Sequence, residues 1–97
     1  MVIYYKELRN ASLEDAYAEM EETQEIIKEV LEKLQINFQI PFEKIPDKIN
    51  IKGDADIFGY LDGKPDVLTV KIVIPDSEKY ASEIEKELKN QGYEKLV

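Results

Sequence analysis

Residues 56–74, DIFGYLDGKPDVLTVKIVI, determine how the rest of this chain can be arranged. In their second half apolar residues recur at every other position, a period of two that is typical of a β-strand with one buried side. These apolar positions are Leu68, Val70, Ile72 and Ile74. Ahead of them, Asp62-Gly63 supplies the positive φ angles of a tight turn, and Pro65 cannot donate a hydrogen bond to a neighbouring strand. The stretch therefore predicts a β-hairpin.

The register of this hairpin stays open between two alternatives. A two-residue turn at Asp62-Gly63 places Asp56 opposite Thr69. A five-residue loop instead brings Phe58 and Tyr60 onto the same side as the apolar residues of the second strand. Because side chains alternate across a sheet, the register decides which of them are buried.

The segments around the hairpin predict two helices and further strands. Ser12 followed by Asp15 is a capping-box pattern, which marks the start of a long first helix. The apolar stripe of this helix consists of Leu13, Tyr17, Met20, Ile27, Leu31 and Leu34, with Gln24 in its one polar position. Ala16, Thr23 and Val30 widen this stripe on one side. The predicted elements are a strand at 2–8, a helix at 13–34, an edge strand at 36–40, an extended piece around 49–51, the hairpin, a helix at 78–90 and a strand at 93–97.

This order of elements predicts a single α+β domain over residues 1–97. A strand that returns through a helix to the same sheet does so right-handed, so both helices are expected on one face. We therefore expect a two-layer sandwich with a mixed, mostly antiparallel sheet. Its plan would be a ferredoxin-like βαββαβ arrangement with extra strand material between residues 36 and 53.

The composition excludes several kinds of chemistry. The chain has no Cys and no His, which removes disulfides, thiolate nucleophiles, Ser-His-Asp arrangements and the usual zinc ligand sets. No cofactor is predicted, and the protein is not expected to be an enzyme. No stretch approaches the roughly 20 apolar residues of a membrane span, and the first residues do not resemble a secretory signal. A cytoplasmic protein with no membrane partner is expected.

The first helix has a dense row of acids on the side away from its apolar stripe. The net charge is −8, which disfavours binding to nucleic acid and favours a basic protein surface or a divalent cation as the partner. The candidate partner-binding residues are Glu14, Glu21, Glu22, Glu25 and Glu29. A solvated helix back that keeps the protein soluble is the alternative interpretation. The main functional expectation is a non-enzymatic interaction module, such as an inhibitor or regulator.

Four aspartates around the hairpin suggest a second possibility. These aspartates are Asp54, Asp56, Asp62 and Asp66. Their spacing does not match that of an EF-hand loop, so no metal site is predicted. Residues 25–97 nevertheless resemble the core of the PD-(D/E)xK nucleases, with Asp56 matching the first acid of that motif and Lys71 its lysine. Thr69 stands where that family places a carboxylate. The resemblance implies a degenerate nuclease-like core with weak metal or nucleic-acid binding and no cleavage.

Aromatic and basic residues of the predicted sheet offer further possibilities. Those that could stack on bases are Tyr4, Tyr5, Phe58 and Tyr60, with Lys52 and Lys71 nearby, although aromatics in a small domain are mostly core residues. An uncovered sheet face that includes Val67 and Val73 could instead form a homodimer. Finally, the abundance of Ile, Glu and Lys is typical of thermostable or de novo designed proteins, so a scaffold without a ligand site is another alternative.

Overall fold

A six-stranded sheet and two helices make up the structure, a computed structural model that describes residues 1–41, 47–64, 66–74 and 79–96. Along the chain the elements are β1 (Val2–Arg9), α1 (Leu13–Lys33), β2 (Phe38–Gln39), β3 (Lys48–Gly53), β4 (Ile57–Lys64), β5 (Val67–Ile74), α2 (Lys79–Asn90) and β6 (Glu94–Lys95). The strands lie side by side in the order β2-β3-β4-β5-β1-β6. The α+β class predicted from the sequence is confirmed.

The sheet is antiparallel at each of its described pairings, where the sequence predicted a mixed sheet. The mixed sheet was expected because a strand-helix-strand unit produces parallel strands. In the structure β1 and β4 do run parallel, but β5 lies between them and is antiparallel to both. Since no parallel strands are neighbours, no parallel hydrogen-bond ladder forms.

The first helix begins where the capping box predicted. Ser12 Oγ accepts a hydrogen bond from the Asp15 backbone N–H at 3.1 Å, and the Ser12 N–H donates to Asp15 Oδ2 at 3.2 Å. These two bonds satisfy amides that the helix itself leaves unpaired. The predicted start of α2 at Glu78 and the predicted strand end at Val97 lie outside the described residues. Among the described residues, neither helix combines the length and apolarity needed to cross a membrane.

One core joins one face of the sheet to both helices. The strands contribute Tyr4, Ile49, Ile51, Ile57, Val70, Ile72 and Ile74, and the helices contribute Met20, Ile27, Val30, Leu31, Tyr80, Ile84 and Leu88. These strand positions alternate along each chain segment, as the pleat requires when only one face is buried. Side chains at the intervening strand positions therefore point away from the helices.

The stripe of α1 differs from the prediction at its ends and at its polar position. Leu13 is 55% exposed and Leu34 is 39% exposed, because they lie beyond the part of the helix that covers the sheet. Thr23, which the sequence placed at the side of the stripe, is fully buried, whereas Gln24 is only half-buried. A helix position one residue away is rotated by about 100°, which is enough to move Gln24 to the edge of the buried stripe.

The hairpin forms, but its register matches neither alternative. Lys64 pairs with Val67, and Asp62 rather than Asp56 is opposite Thr69. Gly63 has the positive φ that the turn signal predicted, +132°, but it lies inside β4. A Cβ there would collide with the Val67 carbonyl oxygen, so glycine is required.

The orientation of the β4 side chains shows which of the two predicted registers assigned the correct faces to β4. Phe58 is 38% exposed, and Tyr60 is paired with Lys71 on the face away from the helices. The five-residue loop, which would have buried both aromatics, is therefore wrong. The two-residue turn assigned the correct faces but shifted the pairing along the strands.

Gly59 provides a test of how tightly the sheet and core are packed. A Cβ at this position would lie 2.9 Å from Ile49 Cβ and 3.0 Å from Ile72 Cδ1, both in the core. We expect Gly59→Ala to lower the free energy of unfolding by about 1–3 kcal/mol, since overpacking outweighs the alanine's usual advantage in a strand. Urea denaturation measures this change. Adding Ile72→Val, which removes one of the clashing atoms, should restore part of the loss; no restoration would contradict the steric explanation.

Candidate interaction surfaces

The structure places the five predicted acidic side chains on one exposed side of α1. This acidic face consists of Glu14, Glu21, Glu22, Glu25 and Glu29, all of them exposed. At about 100° per residue they fall opposite the buried positions of the helix. The segment Leu13–Lys33 contains eight acidic and two basic residues, a net charge of −6 compared with −8 for the whole chain. Most of the excess negative charge therefore lies on one element.

The basic residues of α1 neutralise little of this charge. Lys28 Nζ lies 3.2 Å from Glu25 Oε1, but the Glu25 side chain is 56% exposed. An exposed pair of this kind contributes little, because water screens it and ordering both side chains costs entropy. The carboxylate of Glu25 therefore stays accessible to another molecule.

A groove between α1 and α2 adjoins the acidic face. Its volume is about 170 Å³, and it is lined by Ile26, Glu29, Val30, Lys33, Leu34, Glu83 and Glu87. The lining combines apolar side chains with three carboxylates and one ammonium group, that of Lys33, so it is acidic on balance. The groove could accept an apolar side chain that has basic neighbours. No pattern in the sequence indicates this groove, because it depends on how two separate helices pack.

A hydrogen-bonded network that sequence analysis also missed connects β1, α1 and the residue before β6. Thr23 Oγ1 and Tyr93 Oη are 2.8 Å apart, and each hydroxyl lies within 3.4 Å of Glu19 Oε2. Lys6 Nζ donates to Glu19 Oε1 at 3.1 Å. Burial raises the pKa of Tyr93, the hydrogen bond between Tyr93 and Thr23 opposes this effect, and the nearby Glu19 charge raises the pKa further. The polar Thr23 within an apolar helix stripe was the one available signal.

The side of the sheet away from the helices forms a second surface, here called the open sheet face. It consists of Ile3, Tyr5, Glu7, Arg9, Lys48, Asn50, Lys52, Phe58, Tyr60, Asp62, Val67, Thr69, Lys71 and Val73. Phe58 and Tyr60 lie side by side on β4 with ring centroids 5.5 Å apart. Lys71 Nζ lies 6.0 Å from the Tyr60 ring centroid, and Lys48 Nζ lies 5.9 Å from that of Phe58.

The six aromatic and basic residues singled out in the sequence divide between the two faces. Tyr4 is buried in the core and donates to Glu85 Oε1 at 3.0 Å. Burial, together with this bond, raises the pKa of Tyr4 to about 12. The other five lie on the open sheet face: Tyr5, Lys52, Phe58, Tyr60 and Lys71.

The residues that resemble the nuclease motif do not come together. Asp56 accepts a hydrogen bond from Lys52 at 2.8 Å, beyond the end of the hairpin pairing. Lys71 instead donates to Asp62 Oδ2 at 3.0 Å, and Thr69 pairs with the same Asp62. The hydrogen bond from Lys71 lowers the pKa of Asp62, and the bond to Asp62 raises the pKa of Lys71, so both groups stay charged.

Metal binding would require several acidic side chains to converge. Within residues 1–41, 47–64, 66–74 and 79–96, no group of three or more Asp or Glu side chains is arranged to hold a metal ion. Asp54 and Asp66 are exposed, at opposite ends of the hairpin from each other.

Comparisons with family models, curated proteins and solved structures find no match to this chain.

Proposed function

We propose that this protein is a non-enzymatic interaction module that binds a basic protein surface through the acidic face of α1. The observation that supports this most directly is the exposure of five carboxylates on one side of a single helix. Such a protein would act as an inhibitor or regulator by occupying the basic surface of its partner. The absence of His and Cys from the sequence supports a role without catalysis.

The charge distribution favours rapid association with a basic partner. Clustered charge of one sign creates a potential that steers an oppositely charged molecule toward the cluster. At physiological salt this potential extends about 8 Å from the surface, so it acts mainly during close approach. The affinity should therefore fall as ionic strength rises.

The groove beside the acidic face supports a more specific partner. Exposed ion pairs alone contribute little affinity, whereas an apolar side chain buried at the centre of an interface contributes more. Val30 and Leu34 provide apolar contact in the groove, and Glu83 and Glu87 line it from α2. We propose that the partner presents an amphipathic segment with Lys or Arg beside an apolar residue.

The proposal extends to architecture and location. We propose a two-layer sandwich on a ferredoxin-like βαββαβ plan, because the strand order β6-β1-β5-β4 follows that plan when β2 and β3 are taken as additions at one edge.

We also propose a cytoplasmic location, since a chain without Cys makes no use of an oxidising compartment.

Charge reversal on α1 tests the proposed binding surface. The probe is a fluorescently labelled, helical peptide containing Lys, Arg and Leu, and its binding is followed by anisotropy. We expect Glu22→Lys with Glu25→Lys to weaken binding at least about tenfold at low salt, because two attractive charges become repulsive. Adding salt should weaken binding of the unchanged protein.

A matched control distinguishes binding at the acidic face of α1 from a general effect of net charge. Asp54→Lys with Asp66→Lys makes the same change in net charge at exposed loop residues away from α1. This control should bind the peptide almost as well as the unchanged protein. Equal weakening by both pairs of substitutions would show that only net charge matters, and no binding by the unchanged protein would favour a scaffold without a ligand site.

A further inference from the structure

The open sheet face is more apolar than a face exposed to water usually is. In antiparallel sheets with one buried face, the other face is normally polar. Here six of its positions are apolar or aromatic: Ile3, Tyr5, Phe58, Tyr60, Val67 and Val73. Phe58 and Val73 pair directly across β4 and β5, and Ile3 continues the same row on β1. A contiguous apolar row of this kind marks an interaction surface.

Together with the acids at its rim, Asp56 and Glu94, the described side chains of this face carry four positive and four negative charges, whereas the chain as a whole is strongly negative. Three ion pairs form among its own side chains or at its rim: Lys71 with Asp62 at 3.0 Å, Lys52 with Asp56 at 2.8 Å, and Arg9 with Glu7 at 3.0 Å. Lys48 on β3 and Glu94 on β6 also have opposite signs. Binding to a nucleic-acid backbone depends on an excess of basic residues, which the described side chains of this face and its rim do not show. A neutral, apolar surface fits another neutral, apolar surface better.

Other features of the fold make this face better suited to pairing of two copies than the sheet edges or the acidic face of α1. Both edges of the sheet are two-residue strands, β2 and β6, which limits edge-to-edge pairing. The acidic face of α1 lies on the opposite side of the sheet, and the shortest dimension of the molecule is 20 Å. This exceeds the screening length of about 8 Å at physiological salt. Copies that meet through their open sheet faces keep their acidic helices apart.

The size of the face reaches the lower limit for a specific pairing. Four neighbouring strands, spaced about 4.8 Å apart and rising about 3.3 Å per residue, cover roughly 500 Å² in each copy. Two copies together would bury about 1,000 Å² or more, which is where specific interfaces begin. Phe58 and Tyr60 lie on β4, one of the two central strands of the sheet. These aromatics would therefore form the middle of the interface.

We propose that two copies of this chain pair face to face through their open sheet faces as a symmetric dimer. A two-fold arrangement lets the same patch serve on both copies and closes the assembly at two. The acidic faces of the two α1 helices then point outward in opposite directions. The pairing does not depend on whether a basic partner binds there.

The mass of the protein in solution tests this pairing. Light scattering over a range of concentrations should give twice the monomer mass at high concentration and a decrease on dilution. We expect Phe58→Glu, which introduces a carboxylate at the centre of the face, to raise the dimer Kd at least about tenfold. Leu13→Glu is the control, because Leu13 is an apolar residue that is 55% exposed on α1. It should leave the dimer Kd unchanged.

Three results would overturn the pairing. The first is an unchanged protein that stays monomeric at millimolar concentration, and the second is a Phe58→Glu variant that is folded and dimerises as well as the control. If Phe58→Glu does not fold by circular dichroism, Val73→Thr preserves the branched shape at a neighbouring position and must weaken the dimer instead. The third is a monomer that binds labelled oligothymidylate and loses this binding with Phe58→Glu, which would assign the face to single-stranded nucleic acid.

Discussion

Ile72→Ala is expected to lower the free energy of unfolding by about 3–5 kcal/mol. Ile72 is fully buried at the middle of β5, where it pairs with Tyr4 on one side and Gly59 on the other. Removing its outer carbons leaves a cavity that neighbouring strands cannot close, because they are held by the sheet's hydrogen bonds. Total stabilities of single domains are about 5–15 kcal/mol, so this variant should be close to unfolding at room temperature. Urea denaturation followed by circular dichroism measures the difference.

Two valines on the same strand provide a matched control for this prediction. Val70 is fully buried, whereas Val73 is only partly buried on the open sheet face. The identical substitution Val→Ala should therefore cost about 2 kcal/mol at Val70 and under about 1 kcal/mol at Val73, measured in dilute protein where pairing of copies contributes nothing. Equal costs at both positions would contradict the assignment of β5 faces.

The hairpin shows what a sequence pattern can and cannot predict. Alternation of apolar residues correctly predicted β5 and its buried side, because that alternation follows from the geometry of a single strand. The register was not predicted, because a turn signal such as Asp62-Gly63 is local. In the structure all eight residues of β5 pair with β1, from Val2 opposite Ile74 to Arg9 opposite Val67. Such long-range pairing outweighs a local turn preference.

The candidate surfaces also differ in whether a sequence pattern could predict them. The acidic face of α1 could be predicted, because helical periodicity alone determines which side of a helix faces the solvent. The groove between the helices could not be predicted, because it depends on how α1 packs against α2. The nuclease resemblance depended on a register that placed Asp56 beside Thr69, and the observed pairing puts Asp62 there instead. Residues that interact across elements are the ones that a sequence pattern leaves undetermined.

The network around Tyr93 leads to a prediction about alkaline pH. Tyr93 is 2% exposed, and burial raises its pKa above the ordinary value of 10.0. The folded protein therefore holds this proton more tightly than the unfolded chain does. The resulting stability is fully present below about pH 10 and is lost as pH rises from there toward the folded-state pKa. We expect the loss contributed by Tyr93 to approach about 1.4 kcal/mol per pH unit in that range.

Two substitutions distinguish titration of Tyr93 from the loss of its hydrogen bond. Tyr93→Phe removes the ionisable hydroxyl, so the free energy of unfolding, measured in urea between about pH 8 and pH 12, should fall less steeply than in the unchanged protein. Thr23→Val removes the 2.8 Å partner but keeps the titrating group. It should lower stability by about 1–3 kcal/mol at neutral pH, because the buried phenol loses a partner, and it should keep the alkaline slope. If Tyr93→Phe kept the full slope as well, the alkaline loss would come from other groups, and Tyr93 would not hold its proton more tightly in the folded state.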